Sequence, residues 1–169
     1  MTERSVQFGP SRLRLDGRAL QVGDKAPDVV LTGQDLKPVS LSSFFGKVLV
    51  LSSVPSLDTP TCDMETRRFN VEAAKLGPEV QIITVSMDLP FAQKRWCGAA
   101  GIDRVLVLSD HREAAFGLAY GMLIPEVRLL ARAVFVVDRQ GIVRYIQLVQ
   151  QTGNEPDYES VLAAVRQLF

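Results

Sequence analysis

The chain has 169 residues, of which 47% are hydrophobic, and its 19 lysines and arginines balance its 19 aspartates and glutamates. This length and apolar content suit one buried core, so we expect a single domain over residues 1–169. The zero net charge, without a basic stripe, argues against nucleic acid or an anionic membrane as a partner. With no signal-peptide pattern and no apolar stretch long enough for a bilayer, the sequence predicts a cytoplasmic protein.

The first part of the chain predicts a small appendage followed by short elements. The turn pairs Gly9-Pro10 and Asp16-Gly17 flank alternating residues, which predicts an N-terminal β-hairpin extension over residues 1–20. A loop over 23–27, a short strand over 29–31 and one helical turn over 41–45 are expected to follow.

The rest of the chain alternates between strand and helix patterns. Predicted strands cover 47–53, 80–86, 105–108, 133–137 and 142–149, and predicted helices cover 63–76, 90–100, 112–118 and a last stretch from 156, while 123–130 is ambiguous. Helix-length crossovers imply parallel strands, whereas the short turn at 138–141 implies an antiparallel pair. The fold class is therefore α/β, with the thioredoxin-like pattern of a central mixed β-sheet flanked by helices.

The stretch that precedes the first long helix places a cysteine at a reactive position. Thr59 is a good N-cap and Pro60 suits the first helical position, so Cys62 falls at N3. Unpaired N–H groups and the helix dipole stabilise a thiolate there. Cys62 also lies on the core-facing side of the helix, so a buried, inert cysteine is the alternative interpretation.

A thiolate alone cannot make a fast enzyme, so groups that stabilise developing charge on a substrate are needed. The candidate hydroxyl is Thr59 and the candidate cation is Arg132, at the start of the 133–137 strand. Without other context, a solvent-facing Arg132 is the favoured interpretation. Glu65 lies one turn after Cys62 and could orient Arg132, but a solvent-facing charge is again favoured.

The second cysteine, Cys97, follows Trp96 on the 90–100 helix and by itself suggests packing. A structural disulfide with Cys62 would stabilise the fold by roughly 3–4 kcal/mol, although a reducing compartment disfavours it. The spacing of the cysteines matches neither a C-x-x-C motif nor a zinc site, so we expect no metal.

The pattern Pro55-x-x-x-Thr59-x-x-Cys62, with a later strand arginine, resembles the peroxiredoxin active site. Further stretches resemble the bacterial thiol peroxidases, a group of atypical two-cysteine peroxiredoxins: SLDTPTC (56–62), RRFN (67–70), MDLPFAQKRWCG (87–98), LSD (108–110), LARA (130–133) and EPDY (155–158). The similarity covers nearly the whole chain.

The resemblance implies that Cys62 is the peroxidatic cysteine and Cys97 the resolving cysteine. It further implies that Pro55 shields the sulfur, while Thr59 and Arg132 bind the peroxide. The implied activity is reduction of hydrogen peroxide and alkyl hydroperoxides through a sulfenic acid and an intramolecular disulfide, which thioredoxin recycles. It implies no metal, flavin or haem cofactor and a homodimeric assembly.

Two alternatives share this chemistry in part. A thiol-based redox sensor would use the same disulfide as a switch, and a thiol–disulfide oxidoreductase is disfavoured by the missing C-x-x-C motif.

The segment over 121–130 is shorter than in many relatives, so the preferred peroxide is open. Because the two cysteines lie on different predicted helices, the helix segments around both are expected to unwind during turnover.

Overall fold

The computed structural model describes residues 3–169. Its strands are β1 (Ser5–Phe8), β2 (Ser11–Arg14), β3 (Val30–Thr32), β4 (Pro38–Ser40), β5 (Val48–Ser53), β6 (Val80–Ser86), β7 (Val105–Ser109), β8 (Leu123–Ile124), β9 (Leu129–Leu130), β10 (Ala133–Val137) and β11 (Val143–Leu148). Its α-helices are α1 (Pro60–Leu76), α2 (Pro90–Ala100), α3 (Ala115–Tyr120) and α4 (Tyr158–Arg166), and Leu41–Phe44 forms a turn of 3-10 helix.

Seven of these strands form one mixed sheet in the order β11-β10-β5-β6-β7-β3-β4. The central strands β5, β6 and β7 run parallel, because α1 and α2 serve as crossovers between them. Strand β10 is antiparallel to β5, and β11 is antiparallel to β10. The mixed sheet and the late hairpin confirm the fold expected from the sequence.

Helices cover both faces of the sheet, which explains why β5 is buried along its whole length. Neighbouring residues of a strand point to opposite faces, so Leu49 joins one apolar cluster and Val50 the other. The first cluster includes Phe116 of α3, and the second includes Phe69 of α1 and Val161 of α4. Within residues 3–169, no helix is both long and apolar enough to cross a membrane.

The N-terminal hairpin is present, but its strands are shorter than the predicted extension. Strands β1 and β2 pair antiparallel around Gly9-Pro10, and residues 15–20 continue as a loop. Gln7 donates its N–H to the carbonyl of Gln150 and accepts from the N–H of Thr152, at 2.8 and 2.9 Å. The hairpin is therefore hydrogen-bonded to the segment that follows β11.

Several boundaries differ from the sequence predictions for local reasons. Helix α3 starts at Ala115 rather than at 112, because the Asp110 carboxylate accepts the N–H groups of Phe116 and Gly117 at 3.0 and 2.9 Å. Helix α4 starts two residues later than expected, after its N-cap Asp157. The ambiguous stretch 123–130 is the two-stranded β8–β9 hairpin, and β4 was not predicted at all.

The turn between β10 and β11 carries a testable prediction about acid stability. The Asp138 carboxylate accepts the N–H groups of Gln140 and Ile142, at 2.9 and 3.0 Å, and pairs with Arg144 Nε at 2.6 Å. Burial acts to raise the pKa of Asp138, but these contacts hold it below its ordinary value. The carboxylate therefore stabilises the fold above about pH 4, and this contribution is lost as the pH falls through the folded-state pKa.

Replacing Asp138 with alanine should lower the free energy of unfolding by about 2 kcal/mol at neutral pH, since three donors lose their acceptor. The loss should shrink at an acidic pH below the folded-state pKa, where the wild-type carboxyl is protonated as well. Urea denaturation at the two pH values measures this difference. Asp138→Asn, which keeps one acceptor oxygen, is the matched control. Its free energy of unfolding should lie between those of wild type and the alanine variant. An alanine variant with equal losses at both pH values would contradict the prediction.

Candidate active site

The loop between β5 and α1 is held by a carboxylate from the next strand. Asp88, just after β6, accepts from Ser56 Oγ at 2.7 Å and from the N–H of Leu57 at 2.9 Å. Pro55 is buried in this loop. No role for Asp88 was predicted from the sequence. The signal for it was an aspartate just after the carboxyl end of a predicted parallel strand.

The helix start has the predicted register. Thr59 is the N-cap of α1, Pro60 occupies the first helical position and Cys62 therefore lies at N3. Thr59 Oγ1 accepts the N–H of Cys62 at 3.3 Å and donates to the carbonyl of Ser56 at 2.9 Å. Cys62 has no exposed surface, so its sulfur faces the protein interior.

Arg132 reaches this sulfur because of the register of the sheet. Ala133 of β10 pairs with Ser53 of β5, so the residue before Ala133 lies beside the start of the cysteine loop. Arg132 is only 1% exposed, and its Nη2 lies 3.2 Å from Cys62 Sγ. The interpretation of Arg132 as a solvent-facing residue is therefore wrong, and it is held against the thiol instead.

Glu65 holds Arg132 from the other side, which corrects the interpretation of Glu65 as a solvent-facing charge. It is 1% exposed, and its Oε2 lies 2.6 Å from Arg132 Nη1. Ser52 Oγ donates to Glu65 Oε1 at 2.8 Å. Glu65 lies three residues after Cys62, so both side chains project from one face of α1. That spacing was a signal the sequence contained.

The third contact of the guanidinium is Arg132 Nε to the carbonyl of Thr152, at 3.0 Å. Burial acts to lower the pKa of Arg132, but Glu65 and Cys62 together raise it above its ordinary value. For Glu65, burial raises the pKa above its ordinary value, and the contacts with Arg132 and Ser52 act against this rise. The result is a charged guanidinium fixed by three contacts, with one of its nitrogens on the cysteine sulfur.

A cavity of about 250 Å³ opens next to this group. Its wall includes Pro55, Thr59 and Arg132, three of the residues predicted from the sequence, together with Thr152. The tip of the N-terminal hairpin, at Phe8, completes the wall. The role of the hairpin was missed because nothing local in residues 5–14 points to the site.

Cys97 does not line this cavity. It lies on α2, is 8% exposed and accepts a hydrogen bond from Gln34 Nε2 at 3.6 Å. Together with Gln34 and Ile102 it borders a separate cavity. Burial raises the pKa of the Cys97 thiol, and the Gln34 contact opposes this. Both cysteines are free thiols, so the structure does not bring together the pair expected to react.

The arrangement offers a nucleophilic sulfur, a fixed cation and a hydroxyl beside a small cavity, which suits attack on a small electrophile that leaves negative charge behind. Across the part of the chain from residue 3 onward, no three histidine, cysteine, aspartate or glutamate side chains cluster as metal ligands do.

The comparisons with known proteins agree with this geometry. A family model named Redoxin matches residues 21–162. A peroxiredoxin-like protein from Aquifex aeolicus superposes with a TM-score of 0.92 and 41% identity, covering 98% of each chain. A thiol peroxidase from Chromobacterium violaceum, 22% identical, has a TM-score of 0.87 and shares the fold over 99% of this chain and 98% of its own. Fold and site thus define a redoxin with a thioredoxin-like architecture.

Sequence relatives narrow the class further. The thiol peroxidase of Oceanobacillus iheyensis is 54% identical over 94% of this chain and 96% of its own length. That of Bacillus subtilis is 50% identical over 99% of both. The chain belongs to the thiol peroxidase family, a group of peroxiredoxin enzymes.

Proposed function

We propose that this protein reduces hydrogen peroxide and alkyl hydroperoxides, with Cys62 as the peroxidatic nucleophile. The observation that carries the proposal is the 3.2 Å contact between Arg132 Nη2 and Cys62 Sγ at the start of α1. A guanidinium against the sulfur stabilises negative charge on it, and the positive end of the helix dipole at the start of α1 acts in the same direction. Peroxide enters through the cavity lined by Pro55 and Thr59.

In the first step, the Cys62 thiolate attacks one oxygen of the peroxide. A sulfur–oxygen bond forms, the O–O bond breaks and its electron pair leaves on the second oxygen, which takes a proton to become water or an alcohol. Negative charge moves from sulfur to the leaving oxygen, and Arg132 stays in place to stabilise it. The Thr59 hydroxyl, which now donates to Ser56, can rotate to donate to the peroxide. Pro55 limits access of water.

In the second step, the Cys97 sulfur attacks the sulfenic sulfur of Cys62. The disulfide forms, the sulfur–oxygen bond breaks and hydroxide leaves with the thiol proton as water. Cys97 contacts Gln34 and Cys62 contacts Arg132, and we expect both helix segments to open so that the two sulfurs can meet. A thioredoxin-type dithiol then reduces the disulfide. The cycle requires no metal, flavin or haem.

Family membership also supports three broader proposals. Residues 1–169 act as a single domain, the protein works in the cytoplasm, and it assembles as a homodimer. Sedimentation of the reduced protein at micromolar concentration tests the last of these, since a species of monomer mass would contradict it.

Turnover with thioredoxin, thioredoxin reductase and NADPH tests the proposed cycle. We expect NADPH consumption to continue over many equivalents of peroxide per chain. Mass spectrometry of protein oxidised by one equivalent should find a peptide that joins Cys62 to Cys97. A redox sensor would instead consume one equivalent and stall. Omitting thioredoxin is the control, and it should limit the wild-type protein to one equivalent of peroxide.

A further inference from the structure

Three side chains bridge α1 and α2 beside the two cysteines. Trp96 Nε1 donates to Asp63 Oδ2 at 3.3 Å, while Asp63 Oδ1 pairs with Arg67. The Arg67 guanidinium lies over the Trp96 ring, with Cζ 5.7 Å from the ring centroid. Each of the three contacts the other two, and we refer to Asp63, Arg67 and Trp96 together as the clasp.

The clasp is adjacent to both sulfurs in the sequence. Asp63 directly follows Cys62, and Trp96 directly precedes Cys97. It therefore joins the first turn of α1 to the second half of α2, the two segments that have to move before a disulfide can form. A disulfide needs Cα atoms within about 7 Å and aligned Cβ atoms. When these two segments open to reach that geometry, the contacts within the clasp must break.

A second connection lies one helical turn after Arg67, away from the first turn of α1. It joins α1 to the segment that follows α2. Asn70 Oδ1 accepts the N–H groups of Asp103, Arg104 and Val105, at 3.3, 2.7 and 3.2 Å. These bonds hold the body of α1 to the chain after α2. The first turn of α1 can thus unwind while these bonds remain in place, and the clasp is a polar connection between that first turn and α2.

We propose that the clasp is a positioning device that controls how fast Cys97 reaches oxidised Cys62. This inference rests on the proposed peroxidase cycle. Once the sulfenic acid forms, two reactions compete for it: attack by the Cys97 thiol, which gives the disulfide and water, and attack on a second peroxide, which gives sulfinic acid and water or an alcohol. A closed clasp delays the first reaction and so favours the second.

Weakening the clasp should accelerate disulfide formation. We expect about a tenfold increase, because a partly exposed hydrogen bond and ion pair are modest restraints. Trp96→Phe removes the indole donor but keeps an aromatic ring, and Asp63→Asn removes the ion pair. Glu72→Gln is the matched control, since it breaks the Arg68–Glu72 pair, also four residues apart on α1, at a position outside the clasp.

The measurement is rapid mixing of reduced protein with one equivalent of peroxide, followed by thiol alkylation and mass spectrometry. Both clasp variants should form the disulfide about tenfold faster than wild type, and Glu72→Gln should stay within about twofold. With excess peroxide, the sulfinic fraction should fall in the clasp variants only. In a Cys97→Ser background, the rate of sulfenic acid formation should be the same with and without Trp96→Phe, because that contact does not touch the reacting sulfur.

Unchanged disulfide rates in both clasp variants, or equal acceleration by Glu72→Gln, would overturn the inference while leaving the peroxidase cycle intact. A wild-type protein that forms no Cys62–Cys97 disulfide would overturn the cycle and the clasp together. Trp96 is the chain's only tryptophan, so its fluorescence reports on the clasp directly. Its emission should change as the disulfide forms, and a constant emission would contradict opening.

Discussion

Replacing Cys62 with serine is expected to abolish peroxide reduction, by a factor on the order of 10⁴ or more. A serine hydroxyl is similar in size to the thiol, so the buried position in the first turn of α1 should stay packed and the fold should be retained. The serine hydroxyl does not ionise near neutral pH, however, even with Arg132 Nη2 next to it. No second sulfur can take over, because Cys97 borders a different cavity and its pKa is raised by burial.

The matched variant is Cys97→Ser, which keeps Cys62 and its contact with Arg132. It should consume one equivalent of peroxide per chain at the wild-type rate and then stop in the thioredoxin-coupled assay. Stopped-flow mixing with peroxide, together with NADPH consumption, measures both variants. Residual turnover in Cys62→Ser near that of wild type would contradict the assignment of the nucleophile. Sustained turnover in Cys97→Ser would contradict the assignment of the resolving cysteine.

Replacing Arg132 should produce the second largest effect. Arg132→Lys keeps a positive charge, but one ammonium group cannot reproduce the three contacts that the guanidinium makes with Cys62, Glu65 and Thr152. We expect kcat/KM for peroxide to fall by about 10²-fold. Arg132→Met removes the charge as well and should lower it by about 10³-fold, comparable to the loss of a main donor to a developing oxyanion.

The free energy of unfolding separates a role of Arg132 in catalysis from a role in folding. Arg132→Met leaves Glu65 buried without its cation, which should lower the free energy of unfolding by about 3–5 kcal/mol. The double variant Arg132→Met/Glu65→Gln removes both charges, so it should recover much of the stability. Its activity should remain as low as that of Arg132→Met. Recovery of activity together with stability would mean that Arg132 acts only in folding, against the proposal.

Much of the site was predictable because its signals are local. A threonine at the N-cap and a proline at the first helical position specify the register of Cys62 at the third, since capping depends on groups within three or four residues. The burial of Glu65 on α1 was harder to predict. Spacing places Glu65 on the Cys62 side of the helix, but a charge on that side is buried only if a partner meets it there.

That partner comes from a distant part of the chain. Arg132 meets Glu65 because β10 pairs antiparallel with β5, at the register that sets Ala133 opposite Ser53. Strand pairing is decided by competition among all the strands, which no local pattern records. For the same reason Asp88 and the tip of the β1–β2 hairpin went unassigned, although one holds the cysteine loop and the other lines the cavity.

The amino-acid sequence by itself determined most of the helices and strands, the helix-start position of Cys62 and the family resemblance, because these depend on neighbours along the chain. Only the tertiary structure decided that the Arg132 charge is buried against the sulfur, that Glu65 balances it and that Cys97 lies apart. The helices that cover both faces of the sheet exclude water from the surroundings of β5. An arginine buried there must find its counter-charges inside the protein.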